Sequence, residues 1–177
     1  LVDGVTKLTQ MKFSNVEDRK AENLRKMLLA MSQDVRVMII KLCDRLHNMR
    51  TGDAWPEQKR RDKALETMEV YAPIAHRLGI SNIKEELEDR SLQYLDPVGY
   101  NMIRSLLNKH GDDFLNDICA TIQEHQEQNG IHGATIRHRV KSIYGIYRKM
   151  YMQNKDFEEI YDIYAVRIII DTVAECY

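Results

Sequence analysis

The spacing of apolar residues predicts helices over most of the first two thirds of the chain. From about residue 17 to residue 128, apolar side chains recur at the intervals of an amphipathic helix, and helix breakers are few. The pattern predicts six helices with no fixed repeat of the kind that a solenoid shows. The six cover about residues 21–34, 34–50, 57–78 with Pro73 as a kink or restart, 83–95 after Ser81 as a cap, 97 onwards after Asp96, and 112–128.

The pattern changes after Asn129-Gly130. ATIRHRVKS is typical of an extended segment, SIYGIYRKMYMQN of a helix capped by Ser142, and EIYDIYAVRIII of a β-branched, aromatic strand. This β-α-β order indicates the beginning of an α/β domain, with a boundary near residues 128–132. The predicted fold class is therefore mainly α: an all-α portion and a helical connector, followed by the beginning of an α/β domain.

Composition excludes several classes of protein. The 177 residues carry a formal net charge of −1. The chain therefore lacks the overall basic excess that would indicate a nucleic-acid or membrane-surface partner. No apolar run is long enough to cross a bilayer, and the first residues do not resemble a signal peptide, so we expect a cytoplasmic protein. Both ends look like cuts inside domains. The three cysteines are widely spaced without a CxxC pair, which predicts reduced, buried thiols rather than disulfides or a zinc site.

The helix predicted over residues 34–50 carries two distinct lines of side chains. At about 100° per residue, one line is entirely apolar and should pack into a core. That line consists of Val35, Met38, Ile39, Leu42, Leu46 and Met49. The opposite line begins apolar with Val37 and Ile40 and ends with Asp44, Asn48 and Thr51. We therefore expect the helix to be enclosed on both sides, where a carboxylate needs a partner.

Two interpretations of Asp44 follow from the residues alone. It can form a structural ion pair with Arg45, Arg50 or another cation, or it can be one ligand of a metal site. A metal site needs further His or carboxylate ligands, and before residue 100 the only histidines are His47 and His76. Spacing alone leaves both interpretations open.

Four segments carry a family resemblance. LVDGVTKL, AENLRKMLLAM, VMIIKLCDRLHNMRT and YAPIAHRLGISNIKEELED resemble, in this order, the hydrolase half of the RelA/SpoT homologues. These enzymes make and degrade the alarmones ppGpp and pppGpp. The resemblance implies an all-α, HD-type phosphohydrolase whose Mn²⁺ is held by a His, an adjacent His-Asp pair and a later Asp.

The DRLHNMRT motif assigns roles within that hydrolase. By resemblance, Asp44 is the later metal ligand, Asn48 and Thr51 line the pocket for the guanosine and ribose, and Arg50 is a weaker, structural candidate. No His-Asp dipeptide occurs in this sequence. We therefore expect the hydrolase site to be partial here and its other ligands to lie upstream of Leu1.

A second group of polar residues is basic. Residues 131–155 contain six Lys and Arg residues and no acidic residue. In an extended segment Arg139 and Lys141 point to one side, and a helix beginning at Ser142 also favours anions. A solvated basic surface is the alternative to a phosphate site. Tyr144, Tyr147 and Tyr151 recur at helical spacing, which favours packing over base stacking.

RHRVKSIYGIYRKM and YDIYAVRIII resemble the start of the same family's synthetase domain, a nucleotidyltransferase-like fold. The resemblance implies that Arg139 faces the adenine or phosphates of ATP, and that Lys141 and Lys149 face its phosphates. Asp162 would hold the catalytic Mg²⁺, and Arg167 would support the strand or site indirectly. The reaction is pyrophosphoryl transfer from ATP to the 3′-hydroxyl of GDP or GTP, which needs cations and a metal at the phosphates.

Two positions depart from the family pattern. His138 stands where Gly is usual, and Glu85 stands where Trp is common. The second carboxylate of the synthetase and the tyrosine that stacks on guanine would lie beyond Tyr177, so the synthetase site is also partial.

The resulting hypothesis is a central section of a bifunctional alarmone synthetase/hydrolase. Its predicted parts are the end of the hydrolase domain at 1–55, a connector at 56–128 and the start of the synthetase at 129–177. Guanine nucleotides and ATP are the expected partners, with ribosome association possible only for the whole protein. The alternatives are a non-catalytic helical module and a monofunctional synthetase with a vestigial hydrolase.

Overall fold

A computed structural model describes residues 34–110, 112–131 and 133–173. The chain forms two compact units, Leu1–Leu95 and Asp96–Tyr177. The helix predicted over residues 21–34 lies outside the described residues, except for Asp34. The boundaries predicted near residues 55 and 128 separate functional parts of the chain rather than these compact units. They stay predictions.

The described part of the first unit is entirely helical. It comprises α1 (Val35–Arg50), a 3₁₀ turn at Gly52–Ala54, α2 (Glu57–Glu66), α3 (Ala72–Arg77) and α4 (Ser81–Leu95). A π-helical segment, Thr67–Tyr71, joins α2 to α3. Asp34 caps α1 by accepting from the backbone N–H of Arg36 at 3.0 Å.

Helix α4 packs against α1, α2 and α3. The core between them is built from nine buried side chains: Met38, Leu42, Leu46, Met49, Ala64, Tyr71, Ile74, Ala75 and Leu87. Four of the six predicted stripe residues of α1 therefore lie in the core. The expectation that α1 is enclosed on both sides is wrong for the described chain, because Ile39 and Ile40 remain 40% and 41% exposed.

The second unit combines helices with a small sheet. Its helices are α5 (Pro97–His110), α6 (Asp112–Gln128) and α7 (Ile143–Tyr147), and α7 continues into a π-helical segment, Arg148–Met152. A 3₁₀ turn follows at Phe157–Glu159. Strands β1 (Thr135–Val140) and β2 (Tyr164–Ile169) pair antiparallel, with Thr135 opposite Ile169 and Val140 opposite Tyr164. The predicted order of strand, helix and strand after residue 130 is confirmed.

A cluster of five buried apolar side chains in the second unit lies between α5, α7 and the segment that leads into β2. They are Ile103, Ile146, Phe157, Ile160 and Ile163. Helix α5 packs on α7, and α6 contacts β1. The mainly-α fold class is confirmed, and the short sheet is the only extended structure among the described residues.

Two details of the described chain bear on cysteines and membranes. Cys43 and Cys119 are free thiols, but Cys43 is exposed, so its predicted burial is wrong; it lies on the open side of α1. Cys176 lies outside the described residues. Across the described ranges, no helix combines the length and the apolar character needed to cross a bilayer.

Candidate functional site

The last turns of α1 carry the first group of candidate residues. Asp44 is exposed, and its Oδ1 accepts a hydrogen bond from Nδ2 of Asn48 at 3.4 Å, one helical turn further on. Thr51 is the C-cap of α1, and its hydroxyl donates to the carbonyl oxygen of His47 at 3.1 Å. The three side chains follow one line of the helix, because the residues are three to four positions apart.

Asp44 forms no salt bridge with a described residue, because the neighbouring arginines are engaged elsewhere. Arg45 is buried and lies 3.0 Å from a carboxylate oxygen of Glu66. Arg50 donates to both carboxylate oxygens of Glu86, each at 2.6 Å. This pairing lowers the pKa of Glu86 and raises that of Arg50. The ion-pair interpretation of Asp44 with Arg45 or Arg50 therefore has no support in the described chain.

Helix α4 holds the end of α1 at a second point. The hydroxyl of Tyr94 contacts the carbonyl oxygen of Met49 at 3.2 Å and Oδ1 of Asp53 at 3.1 Å. Gly52 lies directly beneath this hydroxyl, since a Cβ there would be 3.0 Å from the tyrosine oxygen. Burial raises the pKa of Tyr94, and Asp53 raises it further. The turn that carries Asn48 and Thr51 is thus fixed to α4 at both Glu86 and Tyr94.

The buried position of Arg45 was not predicted from the sequence. Its guanidinium lies 4.1 Å from the ring centroid of Tyr71 as well as beside Glu66. The sequence does contain a sign that Arg45 is buried, because this residue falls at helical spacing between Leu42 and Met49, on the apolar line of α1. A cation on an apolar line needs a buried partner, and Glu66 provides it.

The second group of candidates converges on Asp162. Lys141 Nζ lies 2.9 Å from Oδ2 of this carboxylate, and Lys149 Nζ lies 2.7 Å from Oδ1. Lys141 follows β1, Lys149 lies in the π-helical segment after α7, and Asp162 precedes β2. The hydrogen bonds from Lys149 and Lys141 lower the pKa of Asp162 to about 2. The carboxylate is therefore ionised at neutral pH and lies between two ammonium groups.

The local sequence places these groups. Ser142 caps α7 by accepting from the N–H of Gly145 at 3.1 Å, as predicted. The N–H of Lys141 donates to the carbonyl oxygen of Ile163 at 2.8 Å, which extends the pairing of the two strands to the residues beside Asp162. Arg139 is exposed two residues earlier and shares a face of β1 with Arg137. In the strand register Arg139 lies opposite Ala165, and Arg137 lies opposite Arg167.

The three tyrosines of this region stack on one another. The ring centroids of Tyr144 and Tyr147 are 6.3 Å apart, and those of Tyr147 and Tyr151 are 4.5 Å apart. The hydroxyl of Tyr147 also donates to the carboxylate of Asp96, at 3.0 Å.

Two regions of the chain match models of known protein families. A family model described as an HD domain matches residues 1–81, and one described as a region found in RelA/SpoT proteins matches residues 138–177. The chain belongs to the RelA/SpoT family. Each of the two matched regions contains one of the two groups of polar side chains described above.

Relatives of the RelA/SpoT family align with the whole chain. Identity is 48% to a protein of Synechocystis named "Probable guanosine-3′,5′-bis(diphosphate) 3′-pyrophosphohydrolase" and 45% to a GTP pyrophosphokinase of Myxococcus xanthus. It is 42% to the bifunctional (p)ppGpp synthase/hydrolase SpoT of Escherichia coli strain K12. The chain spans about a quarter of each relative, 24%, 24% and 26% respectively.

Among the residues that the structure describes, neither group of side chains forms a complete metal site. Within the described ranges, no three His, Cys, Asp or Glu side chains lie close enough to hold a metal ion. Asp44 and Asp162 are both exposed carboxylates, which is the donor type that Mn²⁺ and Mg²⁺ prefer. A single carboxylate needs further ligands from other residues to complete a metal site.

Proposed function

We propose that this chain is the central section of a bifunctional enzyme that hydrolyses (p)ppGpp and synthesises it from ATP and GDP or GTP. Its parts would be the end of the hydrolase domain at residues 1–55, a helical connector at 56–128 and the start of the synthetase domain at 129–177. Two observations on the relatives support this. They align with the whole chain, and their names include each activity separately and both together.

The observation that carries the synthetase half is the convergence of Lys141 and Lys149 on both oxygens of Asp162. A carboxylate is a ligand type that Mg²⁺ prefers, and ammonium groups stabilise negative charge on phosphates, so this cluster combines two groups that phosphoryl transfer uses. In the proposed enzyme the two lysines leave Asp162 and bind the phosphates of ATP, and Arg139 contacts the adenine or the phosphates. Asp162 is then available as a Mg²⁺ ligand.

The residues of the synthetase half would act mainly by charge and position. The 3′-hydroxyl oxygen of GDP or GTP would attack the β-phosphorus of ATP and lose its proton to solvent. The bond from that phosphorus to the bridging oxygen of the α-phosphate would break, and AMP would leave with that oxygen. Lys141 and Lys149 would stabilise negative charge on the transferred and leaving phosphates. Mg²⁺, when bound, supplies further charge neutralisation at the same oxygens.

For the hydrolase half, the supporting observation is the state of Asp44. It is exposed, it makes no ion pair within the described residues, and it shares one line of α1 with Asn48 and Thr51. We propose that Asp44 is one ligand of Mn²⁺ and that Asn48 and Thr51 contact the guanosine and ribose of the alarmone. Mn²⁺, when bound there, would supply Lewis-acid activation for the hydrolysis that releases pyrophosphate from the 3′-oxygen. Arg50 would act structurally through Glu86.

The proposal is tested on the full-length protein that contains this section. We expect Mn²⁺-dependent release of pyrophosphate from ppGpp, and Mg²⁺-dependent transfer from ATP to GDP or GTP. Transfer without hydrolysis would support a monofunctional synthetase with a vestigial hydrolase. Absence of both reactions would favour a non-catalytic helical module and would reject the proposal.

A second experiment uses the 177-residue chain itself. Because it would hold one ligand of each metal site, calorimetric titration should show weak or no binding of Mn²⁺ and ppGpp. Sub-micromolar affinity for Mn²⁺ would contradict this division of ligands. We expect the whole protein to be cytoplasmic, with guanine nucleotides and ATP as partners of this section rather than membranes or nucleic acid.

A further inference from the structure

The first turn of α5 is fixed to α7 through a single carboxylate. Asp96 precedes α5, and its Oδ1 accepts from the backbone N–H of Gly99 at 2.9 Å, which caps that helix. Its Oδ2 accepts from the hydroxyl of Tyr147 at 3.0 Å, 51 residues further along the chain. Burial raises the pKa of Tyr147, and the hydrogen bond to Asp96 raises it further, so the hydroxyl remains a donor at neutral pH.

Gly99 makes this contact sterically possible. A Cβ at position 99 would lie 2.6 Å from Oδ2 of Asp96 and 2.8 Å from Cε2 of Tyr147. Both separations are shorter than carbon atoms tolerate, so any side chain at position 99 would displace the tyrosine ring or the carboxylate. The ring of Tyr147 therefore lies against the helix backbone itself.

The anchored tyrosine is two residues from Lys149. Tyr147 is the last residue of α7, and Lys149 lies in the π-helical segment that follows. The ring of Tyr147 stacks on that of Tyr151 at 4.5 Å, and the carbonyl oxygen of Lys149 accepts from the N–H of Lys155 at 3.2 Å. The backbone of Lys149 is thus held on both sides, with its ammonium 2.7 Å from Asp162.

We propose that Asp96 and Tyr147 are positioning residues for Lys149 in the synthetase site. Their hydrogen bond fixes the start of the π-helical segment, and this fixes where the Lys149 ammonium meets the phosphates of ATP. The inference rests on the proposed role of Lys149 as a phosphate ligand. It adds two residues that act through Lys149, and it makes the first turn of α5 part of the support of the site.

The test removes the tyrosine hydroxyl in the full-length protein. We expect Tyr147→Phe to weaken binding of a non-hydrolysable ATP analogue, measured by calorimetry, by roughly 5- to 10-fold, the value of one hydrogen bond. The KM for ATP should rise with it, while kcat changes less. Tyr151→Phe is the matched control, since that tyrosine is 54% exposed and its hydroxyl makes one long contact with a described residue, the sulfur of Met102 at 4.0 Å.

A double-mutant cycle separates positioning from a loss of stability. In a Lys149→Met background, Tyr147→Phe should have no further effect on the affinity for the ATP analogue, because the group that it positions is gone. An equal fold-loss in both backgrounds, or an unchanged affinity in Tyr147→Phe alone, would overturn the proposal. An unmodified protein that does not bind the analogue would overturn both this inference and the proposed synthetase function.

Asp96→Asn provides a second variant should Tyr147→Phe fold poorly. Asparagine keeps an oxygen that can cap Gly99 but replaces the carboxylate oxygen that accepts from Tyr147. We expect it to reproduce the loss of affinity seen with Tyr147→Phe and to leave the thermal transition of the protein unchanged. Wild-type affinity in a folded Asp96→Asn variant would count against the proposal.

Discussion

Arg45 lies 3.0 Å from Glu66 and stacks over the ring of Tyr71, whereas the residue before it, Asp44, is exposed to solvent. Burial disfavours the charged form of Glu66, but Arg45 and Lys63 outweigh this and leave its pKa lowered. One motif therefore contains both a solvent-facing candidate metal ligand and a buried cation that ties α1 to the end of α2.

Arg45→Met should destabilise the protein. The variant removes a buried charge and its contact with Tyr71, while Glu66 retains Lys63 at 2.9 Å. We expect the free energy of unfolding in urea to fall by about 2 kcal/mol. Arg36→Met is the control, because Arg36 pairs with Asp34 at the surface and is 74% exposed, so its loss should hardly change the urea midpoint. Equal midpoints for both variants would argue against a structural role of Arg45.

Asp44→Asn should separate the two proposed activities. Asparagine retains the shape of the side chain but not the negative charge that a metal ligand provides. In the full-length protein we expect Mn²⁺-dependent release of pyrophosphate from ppGpp to fall by at least about 100-fold. Transfer from ATP should persist. Asp62→Asn is the control and should hydrolyse ppGpp normally. Asp62 is an exposed carboxylate of α2 that accepts only from Gln58 among the described residues.

Asp162 should titrate far below an ordinary aspartate. Carboxyl NMR on the nucleotide-free protein should give a pKa of about 2, and Lys149→Met should raise it towards the ordinary 3.8. Because the pKa is lowered in the folded state, this carboxylate contributes stability above about pH 3.8 that is lost as the pH falls through about 2. Lys155→Met, which removes a cation outside the cluster, should not shift the titration. A pKa of Asp162 that is insensitive to Lys149→Met would show that the lysine does not contact it in solution.

Leu42→Ala and Ile39→Ala should differ although both residues belong to the predicted apolar line of α1. Leu42 is fully buried, so its truncation should lower the free energy of unfolding by about 3 kcal/mol. Ile39 is 40% exposed, and its truncation should cost less than about 1 kcal/mol. Urea unfolding of the two variants measures the difference. Similar losses would mean that Ile39 is as well covered as Leu42 in solution.

Local signals in the sequence predicted where several elements begin and end. Asp96 before Pro97 marks the start of α5, and Ser142 marks the start of α7, because a cap acts on backbone N–H groups only a few residues away. Gly79 ends α3 with φ at +71°, a conformation that favours glycine. These signals are local, so a single sequence is enough to interpret them.

The π-helical segment at Thr67–Tyr71 was not predicted. Pro73 indicated a kink or restart, because it cannot donate to the carbonyl oxygen four residues earlier. The structure resolves this with a wider turn, in which the N–H of Ala72 donates to the carbonyl oxygen of Thr67. The choice between a kink and a wider turn depends on what packs around the helix, as the burial of Thr67 and Tyr71 shows.

By itself the sequence determined the helices, their caps, the change to strands after residue 130, and the family through its motifs. Only the tertiary structure decided which faces are covered and which charges meet. Helical periodicity shows which residues share a face but not whether another element lies against it, so Leu42 and Ile39 could not be distinguished. Lys141 and Lys149 meet Asp162 across 21 and 13 residues. Such a meeting depends on how β1, α7 and β2 pack, which no local pattern contains.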